Sequence, residues 1–312
     1  MPRTPEYFER CKWVLVFSHS DCLSHATPAG HPERADRLHA VERGLADLSV
    51  TRRDCPMGDE ADVLRCHPLT YLERVKAKLP DEGMAMLDGD TFLSPGSLRA
   101  AMRAVGGACA AVDAVLSGEA SRAFVACRPP GHHAETAQAM GFCLFGTVAI
   151  AAKRALDHHG LSRVAIVDFD VHHGNGTQDL LWEEGRCLFA SSHQMPLYPG
   201  SGSAVEKGAH GQIVNVPLRE GSGGAAMRAA YQAQVFPQLE AWQPELLLIS
   251  AGFDAHADDP LAGLEWQAED FGWLTRELVQ RSGGRVVSVL EGGYDLDALA
   301  KSVAAHVDAL KE

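Results

Sequence analysis

The 312-residue sequence contains no C-x-x-C pair, although it has eight cysteines, at positions 11, 22, 55, 66, 109, 127, 143 and 187. Zinc-ribbon and thioredoxin-type sites are therefore excluded on spacing. A chain of this length does not need disulfides to stabilise its core, so the cysteines read as ordinary thiols of a reducing, cytoplasmic setting. No basic stretch leads into an apolar one near the start, so no secretory signal is expected. No run of about 18 apolar residues escapes a polar or charged break, so no membrane association is expected either. Basic residues are outnumbered, with 28 Lys and Arg against 41 Asp and Glu, a net charge of −13. A pI near 5.6 argues against nucleic acid as a partner, because phosphate binding wants a basic stripe. Gly-x-Ser-x-Gly elbows and Walker motifs are also missing. Gly174-Asn175-Gly176 and Gly200-Ser201-Gly202 complete no dinucleotide fingerprint. Nucleophilic catalysis by a side chain is disfavoured.

What is present is a composition that can bury a large core, 46% hydrophobic and 22% charged. Short apolar runs read as strands at Ala123–Cys127, Val164–Phe169, Leu188–Ser191, Ile213–Val216, Leu246–Ser250 and Val286–Leu290, with another at Trp13–Phe17. Strands buried on both faces of a parallel sheet have this near-continuous apolar character. Helix-length segments separate them: Ser97–Leu116, Phe142–His158, Gly224–Ala241, Glu265–Arg281 and Leu296–Lys311. This alternation predicts a three-layer α/β/α sandwich, and with no internal repeat or linker it predicts one domain over 1–312. The mixed stretch Arg52–Asp90 reads as an inserted loop-and-helix region.

Four polar constellations follow these strands, where open α/β sheets bind ligands. They are Arg128-Pro129-Pro130-Gly131-His132-His133, the run from Asp168 to Gly176, Ala251-Gly252-Phe253-Asp254-Ala255-His256, and Glu291-Gly292-Gly293-Tyr294. Asp168, Asp170 and His172 alternate, so an extended segment projects them to one side. Asp170 and His172 suit two ligands of one metal, and Asp254 could be a third. Two carboxylates and an imidazole leave a fourth position open for water, the arrangement of a catalytic zinc. A lone Asp-x-His is more often solvated punctuation, but three further groups at strand ends weigh against that here. The prolines before His132 and His133 restrict the backbone, which suits proton carriers held near one another. Tyr294, after two glycines, could donate to a developing oxyanion, although Gly-Gly-Tyr alone usually marks a turn before a core aromatic. His158-His159 reads as a surface pair.

These motifs together resemble the histone deacetylase family, in its class II and bacterial deacetylase-like branch. Further markers are His31-Pro32-Glu33-Arg34, Gly141-Phe142-Cys143, Ser191-Ser192-His193 and Tyr198-Pro199-Gly200, so the likeness runs from about residue 19 onward. The resemblance implies the arginase/deacetylase fold with a mainly parallel eight-stranded sheet, and one zinc ion per chain on Asp170, His172 and Asp254. It also implies a structural potassium near Asp168 and Ser191. His132 and His133 would be the tandem catalytic histidines, paired with Asp168 and Asn175, and Tyr294 the transition-state tyrosine. Gly141, Phe142 and Tyr198 would wall an acyl tunnel, with Leu261 and Gly293 also against the substrate, and Arg34 would line a cavity behind the metal. Asn175 stands where class I members have Asp, and a neutral amide raises the pKa of His133 less than a carboxylate would.

The implied activity is hydrolysis of an N-acetylated amine, in a small molecule or a peptide, to free amine and acetate. Acetyl-lysine is the leading substrate and acetylpolyamine the alternative, and the acidic balance is compatible with cationic substrates. Iron instead of zinc stays open. A dimanganese ureohydrolase is disfavoured because the fifth position of the Asp-x-His-x-Asp pattern is Gly174. A non-catalytic acyl-amine binder would need neither both histidines nor Tyr294. Members resembling this chain imply a homo-oligomer, a dimer or tetramer.

Overall fold

The structure is a computed structural model that describes residues 14–312. Ten strands are present among the described residues: β1 (Val14–Ser18), β2 (Thr51–Asp54), β3 (Ala85–Met86), β4 (Phe92–Leu93), β5 (Arg122–Val125), β6 (Val164–Asp168), β7 (Cys187–Gln194), β8 (Ile213–Leu218), β9 (Leu246–Ala251) and β10 (Val286–Leu290). The main helices are α1 (Asp36–Leu45), α2 (Leu69–Ala77), α3 (Ser97–Ser117), α4 (Thr147–Asp157), α5 (Asn175–Leu180), α6 (Ala268–Arg281) and α7 (Leu296–Leu310). Eight strands form one sheet in the order β2-β1-β5-β10-β9-β6-β7-β8, and β3 and β4 form a small hairpin. Every pairing in the large sheet is parallel, so the mainly parallel sheet expected is wholly so.

Strands β6, β9 and β10 are buried along their whole length, which is why their sequences are unbroken apolar runs rather than alternating ones. Strands β5, β10, β9 and β6 are consecutive neighbours in the sheet. All are parallel, so the four loops after them, which carry the four polar constellations, leave the same edge side by side.

The strand Trp13–Phe17 is found as β1, with Trp13 outside the described residues. Arg52–Asp90 is not simply an insertion, because Thr51–Asp54 is an edge strand of the main sheet. Its four residues are all exposed, so it has no apolar signature. Its charges suit an edge that must not recruit another chain, and Arg52 pairs with Glu42 at 2.6 Å. The helix expected from Phe142 begins only at Thr147, because Gly141 and Phe142 hold φ values of 54° and 68°, outside the helical region. The helix expected over Gly224–Ala241 is broken by a π-turn at Tyr231–Val235, just ahead of Pro237, whose ring nitrogen has no hydrogen to donate. Helix α3 is long and apolar enough to cross a membrane by length and composition, and 72% of that stretch is buried inside the fold.

Beneath the sheet, His306 of α7 is fully buried among Phe124, Phe169 and Phe253. Thr275 donates its hydroxyl proton to the Phe271 carbonyl at 2.7 Å, so its oxygen accepts from His306 Nδ1 at 2.6 Å. Ser288 then donates to Nε2 at 2.8 Å, and the neutral ring is satisfied at both ends. Burial pushes the pKa of His306 down to about 3. The unfolded chain therefore binds a proton that the folded chain refuses between about pH 6.5 and pH 3, and stability falls as pH drops through that window. The loss reaches about 1.4 kcal/mol per pH unit. His306→Gln preserves one donor and one acceptor without this titration. Urea unfolding at pH 7 and pH 5 is expected to show a smaller acid-induced loss in His306→Gln than in the parent.

Candidate active site

The ends of β6 and β9 bring Asp170, His172 and Asp254 into a buried cluster, with one ligand atom from each lying within 4.8 Å of the others. His172 Nδ1 is 3.1 Å from Asp170 Oδ1 and 3.3 Å from Asp254 Oδ2. Neighbouring backbone holds the carboxylates in place. Val171 N–H donates to Asp254 Oδ1 and Gly292 N–H to Asp170 Oδ2, both at 2.9 Å. Asp254 Oδ2 is buried with no hydrogen-bond partner, a position a cation would satisfy. Glycine is required around this cluster, since a Cβ on Gly252 would strike Asp170, and one on Gly292 would strike both Asp170 and Asp254. The donor set and the orphaned oxygen fit a divalent metal with an open coordination position.

Two histidines lie beside this cluster with ring centroids 4.0 Å apart. His132 donates from Nδ1 to Asp168 Oδ2 at 3.0 Å, and its Nε2 is 3.7 Å from Asp170. Burial opposes its charging, but the Asp170 and Asp168 carboxylates outweigh burial and hold its pKa well above the ordinary range. His133 donates from Nδ1 to Asn175 Oδ1 at 2.7 Å. Burial, followed by the nearby His132 and His172, drives its pKa well below the ordinary range. The pKa values of two adjacent imidazoles are thus displaced in opposite directions, His132 upward and His133 downward.

A cavity of about 270 Å³ opens above them, lined by Asp90, His133, Gly141, Phe142, His172, Leu197, Tyr198, Leu261 and Tyr294. The Tyr198 ring meets His133 edge-on at 5.2 Å, and Phe142 meets Tyr294 edge-on at 5.9 Å. Phe142 is kept in its left-handed conformation by its N–H bond to Thr91 Oγ1 at 3.0 Å and by its contact with His31 at 4.7 Å. Asp259 accepts from the backbone N–H of Tyr294 at 2.7 Å and of Leu261 at 3.1 Å, tying the tyrosine loop to the rim. Desolvation holds the Tyr294 phenol well above its ordinary pKa, so it remains a donor at neutral pH.

One expectation changes. Arg34 is exposed and pairs with Asp36 at 3.2 Å, so it lines no internal cavity. The buried arginine is Arg37, about one helical turn on, and it lies 4.9 Å from the Tyr294 ring centroid. The Gly293 carbonyl accepts from Arg37 Nε at 2.7 Å. Ser191 is buried, stands opposite Asp168 in the β6–β7 register, and bonds His193 at 3.0 Å. His159 of the outlying pair bonds Asp113 at 2.7 Å, away from the site.

Sequence reasoning missed Asp90, Thr91 and Arg37, and gave Glu33, Asp259 and Glu291 no role. Glu291 lies under the histidine loop, where its Oε2 accepts from Gly131 N–H at 2.6 Å and His132 N–H at 3.1 Å. Glu33 receives both arms of Arg128 at 2.6 Å. The one available signal was the charge of Glu33 and Arg128 inside otherwise restrictive motifs.

Fold and site together define an α/β protein with a buried Asp-His-Asp trio and two adjacent buried histidines at the carboxyl edge of a parallel sheet. Residues 31–310 match the Histone deacetylase domain family. An uncharacterized protein of Synechocystis is 43% identical, with 96% of this chain and 98% of that protein covered. The histone deacetylase-like amidohydrolase of Pseudomonas aeruginosa is 40% identical over 94% of this chain and 82% of its own length. Among solved structures, the HD domain of HDA15 superposes with a TM-score of 0.91 at 33% identity, covering 95% of this chain and 90% of that one. The chain belongs to the histone deacetylase family, whose members are deacetylases and amidohydrolases.

Glu33 is fully buried. Burial would raise its pKa, but Arg128 and His25 outweigh that and hold it well below the ordinary range. Glu33→Gln would leave the Arg128 guanidinium buried without its counter-charge. A loss of about 3 kcal/mol or more in unfolding free energy is expected, measured by urea denaturation at pH 7.

Proposed function

We propose that this protein is a zinc-dependent deacetylase that hydrolyses N-acetylated amines, with acetyl-lysine the leading substrate. The observation that carries the reading is the pair His132 and His133, bonded to Asp168 and Asn175, beside the Asp170, His172 and Asp254 trio and sharing one cavity with Tyr294. Asp170, His172 and Asp254 would hold the zinc, which when bound polarises a carbonyl and lowers the pKa of water. His133, its Nδ1 hydrogen committed to Asn175, presents Nε2 to take the proton of the attacking water. The Tyr294 hydroxyl donates to the oxyanion that develops on the former amide oxygen. His133 then returns its proton to the departing amine, and acetate is released. His132, kept charged by Asp170 and Asp168, adds a positive field without giving up its proton. Phe142 and Tyr198 supply apolar walls to a linear acyl-amine stem, and Leu261 an apolar rim. A potassium ion between Asp168 and Ser191 would be structural.

A second reading, an acetylpolyamine substrate, is favoured by one observation. Asp90 places a carboxylate in the same cavity wall, where it would attract a second ammonium group. A kcat/KM panel of acetyl-lysine peptide, acetylputrescine and acetylspermidine separates the two. Preference for the peptide supports the leading reading, and preference for the polyamines supports the second.

Removing the metal with a chelator is expected to abolish turnover, and restoring zinc to recover it. Tyr294→Phe is expected to lower kcat by about a hundredfold, the scale of losing one oxyanion donor. His133→Ala that keeps near-full, chelator-sensitive turnover of an acetyl-lysine peptide would sink the assignment of the base.

A further inference from the structure

We propose that Glu135 is a positioning residue that sets the tautomer of His133 through the neutral amide of Asn175. The proposal rests on the reading of His133 as the general base and adds a residue to it. Asn175 makes two opposed hydrogen bonds. Its Oδ1 accepts from His133 Nδ1 at 2.7 Å, and its Nδ2 donates to Glu135 Oε1 at 2.7 Å. Met140 Sδ, 3.4 Å from the same Nδ2, is a second acceptor on that side.

An amide is ambiguous in a way that a carboxylate is not, because rotation by half a turn exchanges a donor for an acceptor. In the flipped orientation Asn175 would aim a donor at His133 Nδ1, and the imidazole would have to carry its hydrogen on Nε2. That nitrogen could then accept no proton. The Glu135 carboxylate forbids this state. When ionised it only accepts, and the flipped amide would set a carbonyl oxygen against it. One carboxylate therefore dictates the amide orientation, the amide dictates the hydrogen on Nδ1, and Nε2 is left bare toward the cavity.

The position of Glu135 is itself built. A tight turn closes between Glu135 and Gln138, with Glu135 N–H donating to the Gln138 carbonyl at 3.0 Å. Next to it, Thr136 donates from its backbone and its hydroxyl to Asp179 of α5, at 2.8 and 2.6 Å. Glu135 is partly exposed, so its carboxylate keeps contact with water. A neutral amide next to His133 would otherwise be the weak link in holding a base ready.

The test is a cycle of Glu135→Gln, Asn175→Asp and the double variant, assayed on an acetyl-lysine peptide with zinc-loaded protein. Glu135→Gln offers both a donor and an acceptor to the amide, so the lock is lost. We expect kcat to fall about tenfold or more with KM within about twofold. Asn175→Asp alone opposes two carboxylates and is also expected to lose kcat. In the double variant the two side chains exchange chemistry: the amide introduced at position 135 donates to the carboxylate introduced at position 175. That carboxylate again accepts from His133, and kcat is expected within about threefold of the parent. Side-chain 15N NMR of His133 gives a readout that needs no turnover. It should show hydrogen on Nδ1 in the parent and in the double variant, and a shift toward hydrogen on Nε2 in Glu135→Gln. Parental kcat and an unchanged Nδ1 signal in Glu135→Gln would overturn the proposal, as would losses that simply add in the double variant. A parent inactive on every acetylated amine would instead refute the deacetylase reading, while the NMR would still decide the role of Glu135.

Discussion

The site depends on one buried ion-pair network, centred on Glu33. Arg128 grips Glu33 with two charge-assisted bonds and directs its remaining donor to the carbonyls of Cys22 and His25. Arg37 contacts the same carboxylate at 3.4 Å, and its other donors hold the carbonyls of Glu291 and Gly293. Three loops distant in sequence are thereby fastened to one carboxylate: the segment before α1, the Arg-Pro-Pro-Gly-His-His run and the tyrosine loop. A charge pair this deep is weak evidence for added stability, because desolvation offsets most of its attraction. Its value here is geometric. The bidentate fork fixes the angle at which the Arg128 backbone leaves β5, and so the point at which both histidines arrive.

From that fixed point, electrostatics differentiates two chemically identical rings. His132 sits between Asp168 and Asp170, and the ring of His133 bonds to a neutral amide instead. The charge on His132 then helps keep its neighbour neutral. This pairing of opposite states would not follow from burial alone, which pushes both rings toward neutrality. The difference comes from which residues of the one segment leaving β6 each ring faces, a segment that the sheet order sets on the same edge as the histidine loop.

That order explains what could be read from sequence. Interior strands of a parallel sheet are apolar throughout, so β6, β9 and β10 stood out, and the polar residues after each were conspicuous by contrast. The trio Asp170, His172 and Asp254, the two histidines and Tyr294 were legible for this reason, and all are brought together. Parts stabilised by something other than apolar burial were not legible. The exposed strand Thr51–Asp54 has only charges to show, and the late start of α4 follows from positive φ values at Gly141 and Phe142 that no periodicity reveals. Arg34 and Arg37 differ by about one helical turn, and only the facing of α1 decides which is buried. Asp90 and Asp259 act on backbone N–H groups brought in from far along the chain, which leaves no local pattern.

The clustering of acids gives the site its demand for a cation. The pKa of Asp168 is pushed up to about 6, and those of Asp259 and Glu291 each to about 7, in every case chiefly by burial. Asp254 is raised as well, by burial and then by the Asp170 charge. Five carboxylates, counting Asp170, share a region with His132 and His172, whose pKa values they raise, and backbone N–H groups offset only part of their repulsion. A structural core assembled for stability alone would not gather them, since apolar residues of the same volume would serve better. A divalent ion held by Asp170, His172 and Asp254 would neutralise two of these carboxylates and would satisfy the orphaned Asp254 oxygen. The negative balance of the whole chain thus has a concentrated counterpart at the sheet edge. There it would serve to hold a cation, and Asp90 is the carboxylate that lines the cavity wall itself.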